Sequence, residues 1–443
     1  MERRNFLGTS GLFTFSALAG NLVGSYDQKG MPDSFKPQKL TIPSIAGFSP
    51  RELLEQYKGF LFDDFLPFMD KYVVDHEYGG FMCHANRDGA RINSNKRAWF
   101  DGRGIWVYST LYNAFGKDPA HLAVARKTAD FVLKNRPSGE MAFWPWSYTR
   151  LGADLHEEQP DIYGNLFIAE GLAELSKAAN QEYYRDCAKH IILNCMQVYD
   201  REDYRYHIYY GPKADDIQAP RVLGHWMVFL RTSMAILSVK PDKEVEEIAG
   251  RSIQAMLNDH DIPDFDLIIE ILTHDMKRPA GPFSQFSYTG HVVEAMWMIM
   301  YEAIRKGDHE LFKRAAKQFK RHVEVAWDDV YGGIFRCLEH VDDYIWKTDK
   351  VLWAQEELLI GAMCLIEQTG DPWAFDWYEK AYRYVMENYP LQKYGYSLWN
   401  MGGDRKMTFQ KEGDRIENYH YPRHLMLAIQ SLERIIKNSE AKF

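Results

Sequence analysis

From Pro50 onward the chain alternates between two kinds of segment. One kind is apolar on nearly every side; the other carries one apolar stripe against a charged face. The segment Val292 to Ile304 is broken mainly by Glu294 and Glu302, and a helix that is apolar all round is buried all round. The segment before it, 241–258, gathers Val245, Ile248, Ala249, Ile253 and Met256 on one stripe and is expected on the surface. Read this way, the periodicity predicts twelve helices: 50–74, 98–115, 118–135, 162–179, 181–199, 224–239, 241–258, 289–306, 308–327, 350–369, 372–388 and 417–437. The connections alternate too. A buried helix passes to the next amphipathic one through one or two residues, such as Gly116-Lys117, Asn180 or Gly307. The return is long, as in 75–97, 137–161, 259–288 and 389–416, and two long returns carry Gly-Gly-aromatic signals, Tyr78-Gly79-Gly80-Phe81 and Tyr331-Gly332-Gly333-Ile334-Phe335, that predict small hairpins.

One landmark near the start of each buried helix makes the repeat explicit. Trp99, Tyr163, His225, His291, Trp353 and His420 follow one another at separations of 64, 62, 66, 62 and 67 residues. Such regularity marks a structural repeat of one helical hairpin per unit. Six hairpins with apolar inner and amphipathic outer helices predict an all-α fold, an (α/α)6 barrel, with short β-hairpins in the long loops on one face. An open superhelix is the alternative, but it would leave one face of each apolar helix wet. In the barrel, all six landmarks and all the long loops share the end that holds the inner-helix N-termini. Loops on a rigid scaffold are where function concentrates.

The totals narrow the field without choosing a function. The 443 residues are 46% hydrophobic and 14% aromatic, enough for a large core, and no linker divides residues 49–443, so a single domain is expected. A formal charge of -9 argues against a nucleic-acid partner. No apolar run is long enough for a permanent membrane span. Five cysteines without CxxC spacing indicate neither a disulfide framework nor a zinc site. Arg3-Arg4-Asn5-Phe6-Leu7 ahead of a modest apolar stretch resembles a twin-arginine export signal over residues 1–30, followed by a tether over 31–48. The expectation is an exported, periplasmic protein; a cytoplasmic chain with a chance basic start is the alternative. Monomer or homodimer is left open.

Candidate chemistry gathers at the barrel mouth. His225, His291 and His420 arrive there from separate repeats, with Arg103, Tyr163, Glu294, Gln355 and Glu357 near the starts of their helices. His420 and His424 have metal-ligand spacing, but Pro422 stands between them and no HExxH motif exists, so no metal is expected. A glycosidase would need two carboxylates, for which Asp101, Glu294 and Glu357 are available. Histidines suit proton abstraction beside a carbonyl, and His291, His420 and Arg103 supply acid, base and an enediolate partner. An aromatic rim that includes Trp99 and Trp353 suits the faces of a sugar. Taken alone, the i, i+3 spacing also makes Glu294 a simple partner for His291.

Four motifs in order then carry a likeness: Lys96-x-x-Trp99-x-x-Gly102-Arg103-x-x-Trp106, Gly290-His291-x-x-Glu294-Ala295, Lys350-x-x-Trp353-x-Gln355-x-Glu357 and Tyr419-His420-Tyr421-Pro422-Arg423. Together they resemble the N-acylglucosamine 2-epimerase family, which includes cellobiose 2-epimerases and aldose–ketose isomerases. The resemblance runs from about Pro50 to the C-terminus and implies action on a ring-opened sugar with no cofactor or required metal. It implies His291 and His420 as the acid/base pair and Arg103 as the group steadying the enediolate oxygen. It also implies substrate contacts at Tyr163 and His225, with His225 assisting ring opening, and Glu294 as the carboxylate supporting the catalytic histidine. Asp101 departs from the family's usual Gln or Asn, and Thr289 from a frequent Pro. The expected function is therefore a sugar 2-epimerase or aldose–ketose isomerase working on a mono- or disaccharide. A glycoside hydrolase on the same barrel, or an exported carbohydrate-binding protein without turnover, are the alternatives.

Overall fold

The first helix shows how local sequence sets geometry. Ser49 opens it with a capping box, the Ser49 hydroxyl accepting from the Glu52 N–H and the Glu52 carboxylate accepting from the Ser49 N–H, with Pro50 at the first helical position. Its buried positions Leu53, Tyr57, Leu61, Phe65 and Met69 are four residues apart. On an α-helix that spacing drifts about 40° per step. The chain corrects the drift by widening: α1 (Pro50–Lys58) passes through a π-helical stretch, Gly59–Phe65, into α2 (Leu66–Tyr72). The computed structural model describes residues 41–139, 142–157, 161–391, 396–398, 402–408 and 415–440. The export signal and most of the tether lie outside them.

Eleven more helices follow among the described residues: α3 (Ala98–Ala114), α4 (Pro119–Lys134), α5 (Ile162–Ala179), α6 (Glu182–Tyr199), α7 (Leu223–Leu237), α8 (Lys243–Gln254), α9 (Thr289–Lys306), α10 (His309–Ala326), α11 (Leu352–Thr369), α12 (Pro372–Asn388) and α13 (His420–Glu440). With α1 and α2 as one rod, these are the twelve expected from periodicity. The apolar helices α3, α5, α7, α9, α11 and α13 each pack on the next, and α13 returns to α3, so the inner ring is closed. The outer helices cover it, and α13 lies against α1, so the sixth hairpin is assembled from the two ends of the helical chain. The fold is an (α/α)6 barrel, and closure leaves no open superhelix. Inner helices approach closely where they are small: a Cβ on Gly102 of α3 would stand 2.4 Å from the Phe167 carbonyl carbon and the Ile168 nitrogen of α5.

The long loops pair with one another as well as within themselves. Hairpins join Asp261–Ile262 to Leu267–Ile268 and Cys337–His340 to Ile345–Lys347. The Gly-Gly turns close on single bridges, Val74 with Phe81 and Trp327 with Ile334. Beyond these, the residues just ahead of an inner helix pair with the following loop: Lys96–Arg97 with Ser147–Tyr148, Arg221–Val222 with Ile271–Leu272, and Lys350 with Gly403. A discontinuous hoop thus ties successive loops around the rim.

Two stations on the hoop are built alike. Asp75 takes Lys96 at 3.0 Å and a bidentate Arg150 at 2.8 Å, and Asp328 takes Lys350 at 2.8 Å and a bidentate Arg405 at 2.8 and 2.9 Å. Burial alone would raise both carboxyls; Arg150 and Lys96, and Arg405 and Lys350, hold them far below the usual range. Asp101 accepts from the Phe81 N–H at one station, as Gln355 does from the Ile334 N–H at the other, each at 2.8 Å.

Buried histidines set the acid limit of this fold, among them His225, which burial holds well below the usual range. Burial pushes His260 and His322 down to about 4, and His420 and His424 to about 3. His322 shows why the neutral form is required, since it donates from Nδ1 to the Gln318 carbonyl and accepts at Nε2 from the Ile268 N–H. The unfolded chain takes up these protons near pH 6.5 and the native chain does not, so stability is full above 6.5 and declines as pH falls. The loss is up to about 1.4 kcal/mol per pH unit for each histidine until its native value is reached. Urea midpoints are therefore expected to drop steeply between pH 6.5 and 4.5; a flat midpoint over that interval would contradict the burial argument.

Candidate active site

At the N-terminal end of the inner ring lies a cavity of about 320 Å³. Its chemistry is set by α13, whose first residue is His420. Glu417 caps this helix, its carboxylate accepting from the N–H groups of Tyr419 and His420 at 2.9 and 2.8 Å. The other oxygen of Glu417 meets the Arg103 guanidinium at 3.4 Å. Arg103 is itself wedged between the rings of Phe167 and Tyr419, at 4.1 and 4.7 Å.

His420 places Nδ1 2.9 Å from Glu357 on α11. A carboxylate there keeps the proton on Nδ1 and leaves a lone pair on Nε2. Burial lowers His420 to about 3; Glu417 works against that and Arg423 adds to it, so the imidazole is neutral at working pH. His291, in the first turn of α9, has the same arrangement: Nδ1 lies 2.9 Å from Glu270, which also accepts from the Tyr210 hydroxyl at 2.9 Å. Trp353 stands beside both imidazoles, its ring 5.9 Å from His291 and 5.4 Å from His420. Tyr288 covers His291 at 4.0 Å. Two histidine–glutamate dyads from separate repeats thus face one cavity across one indole.

The dyads differ in charge. Arg423 is fully buried and donates to Glu294 at 2.7 Å and to Glu357 at 2.5 Å. Glu270 has no arginine or lysine nitrogen within 4 Å among the described residues, and the one basic group it meets is the His291 imidazole. Glu294, Glu357 and His420 also point donor atoms at a common centre, as metal ligands do. The Arg423 guanidinium sits in that centre, 3.1 Å from the His420 Nδ1, and supplies the positive charge there.

Of the residues singled out by sequence, Trp99, Arg103, Tyr163, His291, Glu294, Trp353 and His420 line the cavity. Glu294 differs from expectation in its partner: it reaches across the ring to Arg423, and Glu270 takes His291 instead. His225 does not line the cavity: it is fully buried, with ring contacts to Tyr163 and Tyr206 at 4.6 and 4.5 Å. A Cβ on Gly224 would stand 2.3 Å from the Tyr163 hydroxyl and 3.1 Å from His291, which shows how tightly Tyr163 and His291 are set. Gln355 is likewise sealed away, its amide taken up by both backbone groups of Ile334. Asp101 is buried against Tyr148 and the Phe81 N–H, and burial raises it to about 7. Glu270, Glu417 and Tyr288 were not anticipated. The signal for Glu270 was a single charge within the apolar run Leu267 to Leu272.

Known proteins share both sequence and fold with this chain. The sequence pattern of the N-acylglucosamine 2-epimerase (GlcNAc 2-epimerase) family matches residues 79–421. The N-acylglucosamine 2-epimerase of Mus musculus is 24% identical over 402 residues, covering 85% of this chain and 91% of that protein. Among solved structures, the cellobiose 2-epimerase from Bacillus thermoamylovorans B4167 superposes with a TM-score of 0.74 at 16% identity, covering 86% of this chain and 99% of that one. A D-mannose isomerase gives 0.72 at 15% identity, covering 89% and 100%. The closed inner ring, the paired dyads and the match over most of the chain lead to one assignment: the chain belongs to the N-acylglucosamine 2-epimerase family.

Proposed function

We propose that this enzyme is a carbohydrate isomerase, a sugar 2-epimerase or aldose–ketose isomerase, that exchanges the proton at C2 of a ring-opened aldose. The observation that carries the mechanism is the pair of dyads, Glu357–His420 and Glu270–His291, beside Trp353 in a single cavity. His420 enters neutral, so its Nε2 lone pair takes the C2 proton and the electron pair moves through the C1–C2 bond onto the carbonyl oxygen. The enediolate that forms places its charge where the Arg103 guanidinium can hold it. An imidazolium at His291 forms an ion pair with Glu270 and returns a proton to the opposite face of C2, giving the epimer. Return of the proton at C1 by the base that removed it gives the ketose.

A hydrolase would need two carboxylates free to flank a glycosidic bond. Asp101 does not line the cavity, and Glu294 and Glu357 are both engaged by Arg423. Turnover of aldoses and reducing disaccharides in heavy water is the test. Deuterium is expected at C2 of an epimer or at C1 of a ketose; product formed with no solvent deuterium at either carbon would refute the exchange, once direct internal transfer had been excluded.

A further inference from the structure

The charges around the cavity are unevenly placed. Among the described residues its wall carries six arginine and lysine side chains and two carboxylates, Glu294 and Glu417, on a chain whose formal charge is -9. The three deep cations are occupied: Arg103 by Glu417, Arg231 by Glu170 at 2.7 Å, and Arg423 by Glu294 and Glu357. The other three, Arg336, Lys347 and Arg415, come from the rim segments on either side of α11. Depth follows exposure. The side chains of His420 and His291 are 10% and 16% accessible, against 26% for Arg336 and 45% for Lys347. Asp349, 2.6 Å from Arg336, and Glu339, 3.5 Å from Lys347, stand outside the cavity wall. Each of these two cations is thus ion-paired on its outer side, and among the described residues neither has a carboxylate of the cavity wall within 4 Å.

The rim cations are also tied to the reacting end. The Arg336 carbonyl accepts from the Gly290 N–H at 3.1 Å and from the Thr289 hydroxyl at 2.8 Å, directly ahead of His291. Cys337 pairs with Lys347 in the adjoining hairpin, so Arg336 and Lys347 rise together from one short ribbon. A cleft with cations at its mouth and apolar, aromatic walls focuses field lines outward and draws in anions. On the reading that the dyads act at C1 and C2, we infer that the substrate carries a negative oxyanion group at its far end, held by Lys347, Arg336 and Arg415. A phosphate at C6 and a uronate carboxylate both meet that chemistry.

Open-chain alditols test this apart from turnover, because they have no carbonyl to enolise. Calorimetric titration of the full chain would compare D-glucitol, D-glucitol 6-phosphate and L-gulonate, which bears its carboxylate at the carbon corresponding to C6 of glucuronate. At low salt at least one anion is expected to bind about tenfold or more tighter than glucitol, with the gap shrinking at about 0.3 M salt. Preference for the phosphate alone or the carboxylate alone names the source; either supports the site. Lys347→Met with Arg415→Met should bring the anion close to glucitol. Anions that bind no better than glucitol, or a preference untouched by both salt and the double substitution, overturn the inference. Failure of deuterium exchange with anion preference intact would instead overturn the proposed reaction and leave the anion site standing.

Discussion

Alanine at His291 is expected to leave an enzyme that still exchanges the C2 proton of its substrate but no longer inverts that carbon. His420 would still remove the proton, the enediolate would form, and solvent deuterium would return to the face it left. Alanine at His420 should instead abolish exchange along with product. In both variants formation of the epimer should fall about a thousandfold or more, the upper part of the range for a positioned acid or base. The difference follows from the charge around each dyad. Burial, with Arg423 adding to it, keeps His420 neutral, so it serves as base; His291, hydrogen-bonded to Glu270 across the indole, is assigned the acid. Both changes face the cavity and open no void in the apolar core, so circular dichroism should show both variants folded, while urea midpoints fall because buried Glu270 or Glu357 loses its imidazole partner. Proton spectra of recovered substrate in heavy water separate the two outcomes. Undiminished activity in His291→Ala would remove the two-histidine mechanism altogether.

The barrel was legible because its signal is repeated. An inner helix buries all sides and an outer one buries a stripe, so six rounds of alternation announce both layers, and the regular landmarks fix which end carries the loops. The rim hoop was not legible. Its strands, such as Arg221–Val222 with Ile271–Leu272, are two residues long, too short for any alternation to show. The duplicated station could be read in part, since Lys96-x-x-Trp99 and Lys350-x-x-Trp353 stand in the sequence, but Arg150 and Arg405 lie in loops with no pattern of their own. Within the site, position along a helix set height in the barrel but not facing. His225 begins its helix as His291 does, yet its ring packs among Tyr163, Tyr199 and Tyr206 and does not line the cavity. The i, i+3 rule likewise made His291 and Glu294 neighbours on one helix; it could not foresee that Arg423 of α13 would claim Glu294 while a loop residue, Glu270, claimed the histidine.

Arg423 carries the largest expected effect on stability. It is fully buried, with Trp297 and Tyr419 against its guanidinium at 5.2 and 4.6 Å, and it is shared between Glu294 and Glu357. Arg423→Met keeps most of the volume and removes the charge, which strands two carboxylates in the wall of the cavity. Losing one partner of a buried ion pair costs about 3–5 kcal/mol, a large share of the stability of any domain. Arg423→Met combined with Glu294→Gln should recover part of that loss, because one of the two stranded charges is gone; Arg423→Lys should recover part of it by restoring charge without the fork. The same substitution should mark the chemistry. With Arg423 gone, Glu357 turns its whole charge on His420, so the protonated imidazole is favoured and its pKa rises from about 3. The base must be neutral to act, so the acid limb of kcat/KM should move to higher pH in Arg423→Met. Under a purely structural role, stability would fall and the pH profile would stay where it was. An Arg423→Met protein as stable as the parent would show that the two glutamates are protonated or hydrated in the native state, and the account of a neutral His420 held beside a buried cation would have to be given up.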